Sequence, residues 1–213
     1  NKYSLWVNVY GVSERYLNVY GEKDLRAQMN QFFHRTYTHP VDGTTLDMKM
    51  LCNWYWYDET AILETGKGTK DWNFYRYAET LLSAAEAQSS GVNAEAAGYL
   101  AQVKARANME GKDVSTIASE LQRLGKQAFI EECWKERLRE FPLEMKIWDD
   151  CVRTGKFPQI SATNKGEVQF VDLIGAKNGS GATFKATDLY WPIPVNEIQR
   201  NPNLTQNEGY SAK

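Results

Sequence analysis

The chain has 213 residues, 42% of them hydrophobic and 24% charged, and a chain of this length buries roughly 70% of the surface its unfolded form exposes, so a real core is available. A formal net charge of -2 and a pI near 5.8, with lysines and arginines interspersed among acids, exclude a basic field for nucleic acid or anionic lipid. The sequence contains no run of about 18 apolar residues, and its opening, NKYSLWVNVYGVSERY, carries neither an initiator Met nor an apolar signal block, so it reads as a piece of a longer protein.

Residues 1–70 are mixed, aromatic and irregular. The only two histidines, His34 and His39, stand in HRTYTH, a separation that fits neither a zinc helix nor a catalytic triad. Without another histidine there is no ordinary general base near pH 7, which counts against an enzyme. In NWYWYDET the alternation predicts a strand or extended edge, with Trp54 and Trp56 on one face and Tyr55 and Tyr57 on the other. Ordinary sheet packing is the commoner use of such a run, and a platform for sugar rings is the functional one. A sugar laid on an indole buries on the order of 100 Å², about 2.5 kcal/mol gross, and association consumes at least that much. A cluster is therefore required, and the candidate ligand site is Trp54, Trp56, Tyr55 and Tyr57, with Tyr37 and Asp58 as hydrogen-bonding companions.

Residues 71–155 are helical by pattern. Phe74, Tyr77, Ala78, Leu81, Leu82 and Ala85 form one stripe, with Asp71 placed to cap the helix and Gly91 to end it. Asn93 opens a second helix running to Gly111, and the tight turn between them predicts antiparallel packing. A third helix is expected from about Ile117 to Phe141, with Leu121, Leu124, Ala128, Trp134 and Leu138 inward. Pro142 ends it and starts a fourth carrying Ile147, Trp148, Cys151 and Val152 on one face. These are two consecutive helical hairpins, rich in alanine and repeat-like, although their spacing is too long for a strict repeat. Arg76, Glu79, Glu86, Arg106 and Arg137 read as interhelical ion pairs. Glu131, Glu132 and Glu136, interleaved with Lys135, Arg137 and Arg139, read as a solvated or salt-bridged face rather than a glycosidase acid/base pair.

Residues 156–213 comprise a Gly, Asn, Ser and Thr rich insertion with one strand-like run, EVQFVDLIG, and a closing strap, YWPIPVNEIQRNPNLTQNEGY. Pro192 and Pro194 stiffen the strap, and its aromatic residues predict that it lies across something apolar. Cys52, Cys133 and Cys151 show no C-x-x-C spacing, and Cys133 and Cys151, inside helical patterns, read as small buried thiols. No cofactor or metal site is expected. Asp42 and Asp188 could offer loop oxygens to calcium, yet no EF-hand spacing accompanies them.

FYRYAETLLSAAEAQ (74 to 88), AQVKARANM (101 to 109), ERLREFPLEMKIWDDCVRTGKF (136 to 157) and YWPIPVNEIQRNPNLTQNEGY (190 to 210) resemble, in this order, the C-terminal half of the SusD/RagB family. EKDLR (22 to 26) resembles its Asp-x-Arg segment more weakly. The family's usual Glu-Gly-Arg-Trp-x-Asp-Leu run appears as Glu144, Met145, Lys146, Ile147, Trp148, Asp149, Asp150 and Cys151, without the Gly and the Arg. The resemblance implies a mainly α fold of tetratricopeptide-like antiparallel hairpins with irregular loops, short β segments and an extended C-terminal strap, in which Trp191 and Ile193 would seal the helical stack. It also implies a non-catalytic, surface-exposed outer-membrane lipoprotein of Bacteroidetes that binds glycans or other nutrients for a SusC-like TonB-dependent transporter. Its lipid anchor and the rest of the family's length would lie in an N-terminal half that nothing here matches. The reading from a different class is an intracellular helical-repeat adaptor binding peptide.

Overall fold

Two units make up the chain, residues 1–147 with 160–169 and residues 148–159 with 170–213, and a computed structural model describes residues 11–39, 41–58 and 70–211 of them. The opening residues and the Glu59–Thr60 end of NWYWYDET lie outside the described residues.

The first unit begins with a 3-10 turn at Glu14–Val19 and a shorter one at Leu25–Ala27, where Asp24 caps by accepting the Arg26 N–H. Strands β1 (Phe33–Thr38) and β2 (Thr45–Asn53) pair antiparallel, with an irregularity between His34 and Thr36. The strand expected at NWYWYDET is not there, because β2 ends at Asn53 and Trp54–Trp56 is a 3-10 turn. The Asn53 side chain is the cause: its Oδ1 accepts the Tyr55 N–H at 2.9 Å and bends the chain before the alternation can develop.

Helices α1 (Tyr77–Ala87) and α2 (Ala94–Ala107) form the first hairpin. Asn93 caps α2 as expected, accepting the Ala96 N–H at 2.7 Å. The start of α1 is corrected: Arg76, not Asp71, is the N-cap, in extended backbone at φ -137°, ψ 160°. Its guanidinium is drawn into Glu140 and Glu144, which holds residues 72–76 out of the helix and leaves Phe74 and Tyr77 exposed rather than in the buried stripe. The expected single third helix is two, α3 (Val114–Leu121) and α4 (Lys126–Glu140). Gly125 takes an extended ψ of 159° between them, so the pair becomes a second hairpin, and the phase of α4 turns Phe129 inward and Ala128 outward. Small residues of α1 and α2 meet Ile117, Leu121, Phe129, Cys133 and Phe141 in one core.

The charges on these helices pair across them, as their positions suggested. Arg76 binds Glu140 and Glu144, Arg106 binds Glu140, and Arg137 and Lys146 face Glu79. Glu86 accepts the Trp134 indole N–H at 2.8 Å. The centre of the network is Arg26, 5% exposed, which donates to Asp24, Glu136 and Glu140. That contact explains the Asp-x-Arg segment: Asp24 orients the guanidinium and α4 receives it. Tyr16 and Tyr20 donate to the Leu138 and Arg139 carbonyls at 2.6 and 2.8 Å, satisfying acceptors that the end of α4 leaves unpaired.

Pro142 does not start the next helix. Residues 142–146 turn, with Leu143 and Met145 left-handed at φ 59° and 60°, and α5 spans Ile147–Thr154. Trp148 and Val152 remain exposed at 40% and 38%, so of the expected apolar face only Cys151 is buried. In the second unit Trp148 and Phe157 both pack on Phe184, at 5.7 and 5.1 Å between centroids. Strands β3 (Lys156–Ile160) and β4 (Val168–Asp172) form a small antiparallel sheet that includes the strand-like EVQFVD.

The strap folds on itself, around the six-residue α6 (Val195–Arg200). Gln206 accepts the Ile193 N–H and donates to its carbonyl, both at 2.8 Å. Asn207 donates to the Trp191 carbonyl at 2.7 Å, and the Tyr210 hydroxyl lies 2.9 Å from the carbonyls of Thr187 and Tyr190. Side chains thus supply the pairing that Pro192 and Pro194 cannot. The expected burial of Trp191 is overturned: it is 89% exposed.

Candidate functional site

Five of the six candidate residues, all but Asp58, fall into two aromatic groups. Trp54 stacks on His34 at 3.8 Å and 8° and on Tyr57 at 4.5 Å and 15°. Two parallel rings that close to one indole cannot share a face without colliding, so Trp54 is sandwiched and both its faces are taken. Tyr37, 9% exposed, leans on both Trp54 and Tyr57, at 6.1 and 5.9 Å. Burial pulls His34 below its ordinary value, with the backbone bonds at Gln31 and Asn30 opposing, so it is neutral at pH 7.

The second group holds the solvent-facing surface. Tyr55 meets Trp56 edge-on at 4.9 Å and 87°, and Trp56 packs on Trp72 at 4.3 Å and 33°. Trp72 is 51% exposed. Lys70 and Arg76 lie over the Tyr55 ring at 5.2 and 5.6 Å. Lys70 also ties the turn to the incoming chain: its ammonium donates to the carbonyls of Tyr55 and Tyr57, and its backbone N–H donates to Asp58 Oδ2 at 3.0 Å. Asn73 Nδ2 donates to the Tyr55 hydroxyl at 3.2 Å.

The 3-10 turn therefore separates Trp54 from Trp56, which the expected alternation placed on one face. The sequence reading left Lys70, Trp72 and Asn73 out of this surface, because WNFYRY fell in a segment taken as helix, with Phe74 and Tyr77 in its buried stripe. The signal against that assignment was its composition, four aromatics in six residues around a single arginine. Phe74 and Tyr75, each 75% exposed, and Tyr77, 70% exposed, extend the same aromatic surface, and Lys146 lies 4.7 Å over Tyr75.

This surface offers flat apolar faces edged by donors and acceptors, which suits stacking of a hydroxylated ring. The acids of α4 are committed elsewhere: Glu132 and Glu136 bind Lys104 and Arg139, and Glu131 accepts from Gln127. Asp42 accepts from Thr44, and Asp188 from the Lys185 N–H, in local turns. Among the described residues no group of three His, Cys, Asp or Glu side chains is placed to hold a metal ion, and no helix is long and apolar enough to cross a membrane.

Residues 13–210 match the model of the SusD family. The starch-binding protein SusD of Bacteroides thetaiotaomicron is 35% identical over 138 residues, 64% of this chain and 21% of that protein. A crystal structure of a SusD superfamily protein from Parabacteroides distasonis superposes with a TM-score of 0.77 at 29% identity, over 99% of this chain and 45% of that one. The chain thus spans less than half the length of either relative.

Proposed function

Because the chain belongs to the SusD family, we propose that it binds a glycan at the cell surface without modifying it, through the exposed corner built on Trp72, Trp56 and Tyr55. The observation that carries this is the Trp72 indole, half exposed and backed by Trp56. A ring held from behind loses little freedom when a sugar stacks on its open face. Trp54, Tyr57 and Tyr37 act as the packed base that holds the turn, and Asp58 and Lys70 supply polar groups at its edge. In this reading the protein is surface-exposed on the outer membrane, lipid-anchored through a preceding segment, and passes its ligand to a SusC-like TonB-dependent transporter. Starch is the first polysaccharide to try, since a relative is named for binding it.

The test is a tryptophan-fluorescence and calorimetric titration with starch, maltoheptaose and a panel of other polysaccharides. Saturable binding weakened about tenfold or more in Trp72→Ala is the expected result, a loss of about 1.4 kcal/mol, within the gross value of one stacked ring. Binding that is unchanged in Trp72→Ala and Trp56→Ala would remove the site from this corner.

A further inference from the structure

A cavity of about 310 Å³ opens in the first unit, away from the aromatic corner, where the α2–α3 connection approaches the Leu25–Ala27 turn and α4. Three of its lining residues are buried charges: Arg26 (5% exposed), Glu136 (0%) and Arg139 (8%). Arg139 donates through Nε to the Val19 carbonyl at 3.0 Å and through Nη1 to Glu132 and Glu136 at 2.9 and 3.1 Å. No acceptor for its Nη2 is found among the described residues. Asn108, the exposed Lys23 and the half-buried Lys104 and Lys112 add to the polar lining, beside Asp24, Glu110 and Glu120, and its apolar side chains are Ala107 and Ile117.

The chemistry of that lining selects a ligand class. With no aromatic side chain, it gives a nucleobase nothing to stack on, and two small apolar contacts cannot hold a greasy molecule. Its charges are largely neutralised among themselves: Arg26 lies between Asp24 and Glu136, and Lys112 between Glu110 and Glu120. An anion would be met by those four carboxylates and a cation by the lysines. A neutral polyhydroxylated molecule uses both kinds of atom, since each hydroxyl donates to a carboxylate and accepts from a guanidinium or ammonium, and such charge-assisted bonds are the strong ones. The volume corresponds to roughly ten waters of liquid, which suits one sugar ring and not a polymer passing through.

We propose that this cavity is a second carbohydrate site, which takes a single neutral sugar ring, free or at a chain terminus, through hydrogen bonds alone. The choice of sugar rests on the glycan reading above, whereas the residues are independent of the aromatic corner. Its role would be to hold a chain end or a released monosaccharide while the corner holds the polymer.

The test is an amide-resolved NMR titration of the full chain with glucose, galactose and mannose, beside glucuronate and inorganic phosphate as charged controls. A Cβ at Gly21 meets open space at the cavity wall, so Gly21→Phe plugs the site without a backbone clash. Lys23→Ala is a second variant, at an exposed position whose backbone carbonyl accepts the Met109 N–H and is kept by the substitution. Saturable shifts of residues 21–24 and 108–112 with a neutral sugar, weakened about tenfold or more in Gly21→Phe or Lys23→Ala and unchanged in Trp72→Ala, are the expected result. Shifts indifferent to both cavity variants, a charged control that outcompetes the neutral sugars, loss of all binding in Trp72→Ala, or no shift with any of the three sugars would each overturn the proposal. Polysaccharide binding at the aromatic corner would survive any of those failures, and a failed corner would leave cavity binding measurable.

Discussion

Trp54 and Trp72 show how two residues of one type divide between holding and presenting. Trp54 gives both faces to His34 and Tyr57, so Trp54→Ala should lower stability by about 2–4 kcal/mol in urea unfolding, the range of a lost packed aromatic. Trp72→Ala, at a half-exposed ring, should shift stability by under about 1 kcal/mol and act on binding instead. Met145 is a second instructive position. It stands where the family's usual run has Gly, and its φ of 60° is a conformation that costs an L side chain about 1–2 kcal/mol and glycine almost nothing. Its side chain is 71% exposed, so replacing it loses little packing. Met145→Gly should therefore raise stability by about 0.5–1 kcal/mol, read as a higher urea midpoint at unchanged slope. At Cys133 burial comes first and the Glu86 and Glu132 charges second in pushing the thiol up to about 12. It is accordingly a packed, unreactive group, as its helical position suggested.

At the scale of elements, α4 is held by charge as much as by apolar packing. Arg26 leaves its own short turn to satisfy Glu136 and Glu140, both fully buried. Arg26→Met would strand those carboxylates and should cost about 3–5 kcal/mol. The same network sets an acid limit. Burial by itself would raise Glu136, but the Arg26, Lys104 and Arg139 charges overcome it and hold the carboxyl far below its ordinary 4.5. Glu132 is lowered in the same way by Lys104 and Arg139 against its own burial. With the folded values depressed, the unfolded chain takes up protons first, so this stability is whole above about pH 5 and drains as pH falls through 4.5 and below. Urea midpoints should decline over that range, and Glu136→Gln, though less stable at pH 7, should decline less steeply. A wild-type midpoint flat from pH 6 to pH 3 would remove the network from the account.

At the scale of the whole molecule, the second unit tests whether the strap stabilises by covering or by its own hydrogen bonds. Trp191, 89% exposed, should tolerate replacement by Ala within about 0.5 kcal/mol. Gly209, at φ 86°, would drive a Cβ into the Thr187 side chain, so Gly209→Ala should cost at least about 1 kcal/mol and expose residues 186–210 to limited proteolysis. The reverse ranking would restore the covering role. The first helical hairpin, the cap at Asn93, the burial of Cys133 and Cys151 and the interhelical Arg–Glu pairs were legible in the sequence, because periodicity, capping and charge compensation act between residues near in the chain or on regular faces. The start of α1 was not, since Arg76 is fixed by Glu140 and Glu144 more than 60 residues along the chain; the break at Gly125 and the turn at Asn53 are local, but the helical spacing around one and the aromatic alternation after the other outweighed them. The candidate site went the same way. The sequence by itself determined that aromatic residues gather near position 55 and that two alanine-rich helices pair into a hairpin, but only the tertiary structure decided which ring faces solvent. Stacking Trp72 on Trp56 depends on two segments returning to one place, and no local spacing records that distance.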